Sequence, residues 1–191
     1  MNIICDECCK HTKQDALIYA SSENHIKCLE LLCTQDDTNC DLNYKNQNNE
    51  FALMNASFRG HDKCVQILCS SNNINVDQTD YYEKSTSLIK ASSKGYVKCV
   101  QLLIDFNANI NHQNRWNETA LMKASAKGHL ECLKVLCAQN DLYNIDIGLC
   151  DENGNTALTH AIKRKHEECV EFLKNVEQYG IKLGPKFAGK N

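Results

Sequence analysis

The chain has 191 residues, 42% hydrophobic and 24% charged, with a formal net charge of −3. These values fit one soluble folded domain or one repeat array long enough to bury a core, and the overall acidity argues against a nucleic-acid binder. No run approaches the ~18 consecutive apolar residues of a membrane span. The opening Met-Asn-Ile-Ile-Cys-Asp-Glu stretch lacks the basic region and apolar core of a secretion signal, so a cytoplasmic protein is expected, the nucleus being compatible too.

Residues 1–11 read as a separate N-terminal segment or cap. They carry Cys5, Cys8, Cys9 and His11, a Cys-x-x-Cys spacing with a nearby His that can grip zinc. Cys8 and Cys9 are adjacent and no second spaced pair follows, so a segment covering the first repeat is preferred, and no metal or cofactor is expected. Nothing in the sequence marks these thiols as lowered in pKa, as redox sensing would require.

From residue 12 onward the chain repeats itself. Leu17, Leu53, Leu88, Leu121 and Leu158 recur at intervals of 36, 35, 33 and 37 by subtraction. With each leucine as zero, +3 holds Ala20, Ala56, Ala91, Ala124 and Ala161, and +11 holds Cys28, Cys64, Cys99, Cys132 and Cys169. Position +15 is leucine throughout, and +7 is Gly60, Gly95 and Gly128 in the three central units. Five units follow, spanning about 12–45, 46–80, 81–113, 114–150 and 151–178 as one domain, with a flexible tail at 179–191.

Within each unit the apolar positions mark one face of a short helix, a break near +7, and one face of a second helix. Each unit is thus a helical hairpin. Asp15, Thr86, Thr119 and Thr156 at −2 are candidate helix caps, while Phe51 leaves the second unit without one. Cys33, Cys69 and Cys137 form a second ladder at +16, where unit three has Ile104 and unit five Lys174. Thirteen cysteines is an odd count, and the eight in ladders occupy positions suited to small apolar side chains. Equivalent positions on packed helices lie about 8–10 Å apart, too far for a disulfide, so the ladders should stay reduced. Cys40 and Cys150 fall outside them.

Asn, Asp and Gly fill the stretches between hairpins, a turn-forming composition. The runs Asn153-Gly154-Asn155-Thr156-Ala157-Leu158 and Gly128-His129-Leu130-Glu131-Cys132-Leu133 resemble the ankyrin repeat over about residues 12–178. The resemblance implies an all-α ankyrin-repeat solenoid of helix-turn-helix units joined by β-turn or hairpin loops. Tetratricopeptide repeats share the period, but their Trp and Gly-Tyr pattern is missing. Where the family has Thr-Pro-Leu-His, this chain has Ala or Ser for Pro, and Ile18, Met54, Ile89, Met122 and Thr159 for His. Register is therefore expected to depend more on burial than on polar bonds.

Catalytic patterns are absent. His166-Glu167-Glu168 lacks the second His of a zinc-protease helix, Asp151-x-Asn153-x-Asn155 departs from a calcium loop at its sixth and twelfth positions, and no phosphate loop is present. No enzyme is expected. His61 and His129 read as helix-start residues.

The resemblance implies binding through the turn tips and the exposed side of the first helices, a concave face. The tips at −6 and −5 include Tyr82, Arg115 and Trp116. Positions +2 and +6 give Arg59, Lys90, Lys94, Lys123, Lys127 and Arg164, and Lys163 at +5 makes seven cations in one expected row. The outer helices carry Glu30, Glu131, Glu168 and Glu171. A monomeric adaptor, scaffold or inhibitor is expected, binding an acidic or mixed polar and apolar segment of another protein. The alternative is polyanion binding, to nucleic acid or acidic lipid, through the same cations.

Overall fold

The computed structural model describes residues 12–34, 40–138 and 145–179. Among them the apolar register produces ten helices in five pairs. These are α1 (Lys13–Ser22) with α2 (Ile26–Thr34), α3 (Ala52–Arg59) with α4 (Asp62–Cys69), and α5 (Ser87–Lys94) with α6 (Val97–Asp105). Then come α7 (Ala120–Lys127) with α8 (Leu130–Ala138), and α9 (Ala157–Lys163) with α10 (Glu167–Tyr179). First helices pack side by side in one layer and second helices in another, each pair touching only its neighbours in sequence.

The core lies between the layers. Ala20, Ala56, Ala91, Ala124 and Ala161 have no exposed surface, and the Cys and Leu of +11 and +15 are buried in all five units. Leu158 is only partly buried, since among the described residues no further hairpin covers the fifth. Small residues at +3 let adjacent first helices approach, and each enclosed leucine contributes about 1.5–3 kcal/mol. Lys174 is exposed where Cys69 and Cys137 are buried.

Helix starts follow the caps in three units: the Thr86, Thr119 and Thr156 hydroxyls accept from the backbone N–H of Ile89, Met122 and Thr159. Phe51 caps with no side-chain bond. The first unit corrects the expectation for Asp15. Thr12 is the cap there, its hydroxyl accepting from the Asp15 N–H and donating to Asp15 Oδ2 at 2.8 Å, so α1 begins earlier. Asp15 sits in the first turn, where the helix dipole favours a carboxylate.

Gly60, Gly95 and Gly128 end their helices with φ of +77°, +78° and +74°. They meet a second demand as well. A Cβ on Gly60 would lie 2.7 Å from the Tyr96 ring, and one on Gly128 would lie 2.6 Å from His166 Nδ1, each ring belonging to the next hairpin. His61, His129 and His166 use those ring positions to reach back: Nε2–H donates to the carbonyls of Ser22, Ser93 and Ala126 at 3.0, 3.3 and 3.3 Å.

A second set of rungs runs along the loops. Asp41, Asn75, Asn109 and Asp146 each accept, on Oδ1, the N–H two residues ahead. Asn43, Asp77 and Asn111, two residues after the first three, accept the N–H of Asn75, Asn109 and Asp146 in the next unit at 2.7–2.9 Å. The corresponding residue of the final rung is Gly148, which has no side chain to continue the series. Polar rungs thus accompany burial along the whole register of the described units.

Candidate functional site

The turn tips are shaped by one acidic or amide side chain per unit. Oδ1 of Asn46, Asn114 and Asp151 each accepts the N–H groups two and four residues ahead. The residue three ahead then adopts positive φ, as Asn49, Asn117 and Gly154 do. Asp80 does the same with one residue more: its Oδ1 accepts from Glu83 and Ser85, and Lys84 takes the positive φ. The inserted residue makes the third tip longer.

That insertion pushes an aromatic pair into solvent. Tyr81 is 57% and Tyr82 64% exposed, their rings edge to face with centroids 5.5 Å apart. Lys84 Nζ lies 5.2 Å from the Tyr81 ring centroid. Tyr81 escaped the sequence reading, although the Tyr-Tyr doublet at an unaligned turn position was a usable signal. Neighbouring tips are tied together, the Arg115 N–H donating to the Glu83 carbonyl and the Glu152 N–H to the Trp116 carbonyl. Trp116 is 37% exposed and its indole lies 5.8 Å from Lys123 Nζ. Its backbone binds the next turn while its ring remains accessible.

The expected row of seven cations divides. Lys90 Nζ folds back onto Asp80 at 3.0 Å and Glu83 at 2.5 Å, with only 16% of its side chain exposed. Lys123 pairs with Glu118 at 2.5 Å. In the fifth unit His160 occupies this position and its Nε2–H donates to Asp151 Oδ2 at 3.0 Å. Position +2 is therefore a link between helix and turn in three successive units, neutralised by local carboxylates. Burial raises the Asp151 carboxyl, but bonds from the Asn155 backbone and amide, the Asn153 N–H and His160 outweigh it and hold the group at about 2.

Position +6 differs. Arg59, Lys94, Lys127 and Arg164 are all exposed at the C-terminal ends of α3, α5, α7 and α9. Arg59 makes one 3.5 Å contact with Glu23, and Lys94 lies 4.3 Å from the Phe58 ring centroid. Lys127 and Arg164 have no ion-pair partner among the described residues. Lys163 donates to Asn155 Oδ1 at 2.5 Å.

A concavity of about 830 Å³ lies across α1, α3 and α5, away from Trp116. Phe58, 43% exposed, stands in it beside Tyr19 and Tyr96. The other units have Ser22, Ser93, Ala126 and Lys163 at this +5 position, so Phe58 was visible in the sequence as the one aromatic there.

Cys5, Cys8, Cys9 and His11 lie outside the described residues. Among those described, no cluster of His, Cys, Asp or Glu has the form of a metal site, and no helix is long and apolar enough to cross a membrane. Apart from the partly buried Cys33 the ladder thiols are buried, which pushes Cys64 and Cys132 up to about 11 and Cys69, Cys99 and Cys137 to about 12, far from nucleophilic thiolates.

Five stacked hairpins, the middle three with glycine-ended first helices, and side-chain-braced turns define a helical repeat array. The family model for ankyrin repeats (3 copies) matches residues 2–80 and 88–184, most of the chain, and the chain belongs to the ankyrin-repeat family. No curated protein matches the sequence. Ankyrin arrays are general modules for protein–protein interaction and are typically non-enzymatic.

Proposed function

We propose that this chain is a non-enzymatic, monomeric cytoplasmic adaptor, scaffold or inhibitor that holds an acidic or mixed polar and apolar segment of a partner protein on its concave face. The observation that carries this reading is the company of exposed aromatic rings and unneutralised cations on one side. Tyr82 and Trp116 stand at the tips near Arg115, and Lys94, Lys127 and Arg164 line the helix ends behind them. Trp, Tyr and Arg are the residue types that dominate binding energies when enclosed by a partner, and the cations steer an acidic segment toward them.

Polyanion binding is the less favoured reading. Lys90 and Lys123 already face carboxylates, which leaves fewer cations for consecutive phosphates.

Affinity capture from a lysate of the source organism tests the choice, comparing the wild-type chain with Trp116→Ala and with a Lys94/Lys127/Arg164→Glu variant, each verified as folded. One defined protein retained by wild type and lost by both variants supports the proposal. Recovery of nucleic acid or lipid alone, undiminished by Trp116→Ala, replaces it with the polyanion reading.

A further inference from the structure

The concavity across α1, α3 and α5 is lined by charges of both signs. Its charges are sorted along the helix direction. At the end nearest the turns stand Asp15, in the first turn of α1, and Glu50, just ahead of α3. At the other end stand Arg59, the last residue of α3, and Lys94, the last residue of α5. Between the two ends lie Phe58 and the partly buried Tyr19.

The geometry points to an occupant of matching order: a partner segment carrying a basic side chain, then an apolar side chain, then an acidic one, laid along the first helices with its basic end toward the turns. This rests on the reading of the concave face as a protein-binding surface, and adds to the Trp116 end a second contact region whose chemistry it names.

Three observations favour this occupant over a uniformly acidic one. Asp15 and Glu50 would repel a carboxylate at the turn end, and like charges brought together at an interface cost more than unlike charges gain at its solvated rim. The cation end is open to a carboxylate, because Lys94 touches only the Phe58 ring among the described residues and Arg59 makes a single 3.5 Å contact with Glu23, itself well exposed. A carboxylate docking there competes with Glu23 for one guanidinium face and meets Lys94 unopposed. The floor between the charges offers one exposed ring, Phe58, beside Tyr19 and Asn55. Phe58 is held under the Lys94 ammonium, and covering its exposed part with an aliphatic or aromatic side chain strengthens that contact by removing water from it. The flanking His61 is turned toward the preceding hairpin, its Nε2–H donated to the Ser22 carbonyl.

The test is selection of a random-peptide phage library on the full chain, with parallel selections on Phe58→Ala, on a Glu50→Lys/Lys94→Glu charge exchange and on Trp116→Ala, all matched for helical content. The expected result is a wild-type consensus with a basic, an apolar and an acidic residue in one fixed order. Synthetic consensus peptide should bind Phe58→Ala at least about tenfold more weakly, lose measurable binding to the charge exchange, and bind Trp116→Ala as it binds wild type. A consensus that is acidic throughout, indifferent to Phe58→Ala and lost on Trp116→Ala, overturns this inference and leaves the wider proposal standing. No consensus on any form also overturns it, while the lysate capture above decides the wider proposal independently.

Discussion

His61 Nε2–H donates to the carbonyl of Ser22 at 3.0 Å, from the second hairpin to the last turn of the first helix of the hairpin before it. His129 and His166 repeat the bond two and three units further along, each imidazole lying over the glycine that ends the preceding first helix. Tyr96 holds this place in the third unit with its ring over Gly60, but it has no nitrogen to offer the carbonyl. Replacing Tyr96 with His should restore the missing rung and raise the urea midpoint, by about 0.5–1 kcal/mol. His129→Ala should lower stability by about 1 kcal/mol.

Gly95 and Gly154 separate backbone strain from crowding. Both have φ near +75°, at +78° and +75°, yet a Cβ on Gly95 would lie 2.7 Å from His129 Nδ1 whereas one on Gly154 meets nothing within 4 Å. Gly154→Ala should cost about 1–2 kcal/mol from the left-handed conformation alone. Gly95→Ala should cost more, because it also displaces the imidazole from its rung, and chemical denaturation of the two variants reads the difference.

Cations of similar sequence context should divide in the same assay. Lys90 is enclosed between Asp80 and Glu83, so Lys90→Ala leaves two carboxylates facing each other and should destabilise by about 1–3 kcal/mol. Lys127→Ala, at an exposed position without an ion pair among the described residues, should change stability by less than about 0.5 kcal/mol. Equal effects would mean that the turn carboxylates do not hold Lys90 in solution.

Asp151 predicts an acid limb. Its native value of about 2 lies below the ordinary 3.8, so the unfolded chain binds the proton more readily. Its contribution is present above pH ~4 and disappears as pH falls toward 2, about 2 kcal/mol in all. Asp151→Asn should be less stable than wild type at pH 7, with the gap closing toward pH 2 in urea titrations.

The thiol ladder predicts the opposite limb. Cys69, Cys99 and Cys137, raised to about 12 from 9.0, remain protonated in the fold when the unfolded chain has begun to ionise. Their contribution is complete below pH 9 and is lost as pH rises through 9 toward 12, by up to about 1.4 kcal/mol per thiol per pH unit. At pH 8, iodoacetamide should label the exposed Cys150 in the native chain and reach these three only in denaturant, as peptide mass spectrometry would show.

The repeat register, the hairpin of each unit, the three threonine caps, the uncapped start at Phe51 and the burial of the cysteine ladders were all legible in the sequence. They follow from periodicity and local hydrogen bonding, which depend on residues within a few positions of one another. The start of α1 was misread because Thr12 and Asp15 satisfy each other locally, and a one-residue shift in the third turn hid Tyr81.

What only the tertiary structure decided was which polar groups meet. Periodicity placed Lys90 and Lys94 on one stripe, but whether a cation is free depends on where a turn carries its carboxylates: Asp80 and Glu83 take Lys90, while Lys94 rests on Phe58 of the neighbouring helix. The histidine and loop rungs join residues more than thirty positions apart, a separation at which one sequence specifies a face and a register without specifying a partner. The concavity beside Phe58 exists only once three hairpins are stacked, because its lining comes from α1, α3 and the end of α5.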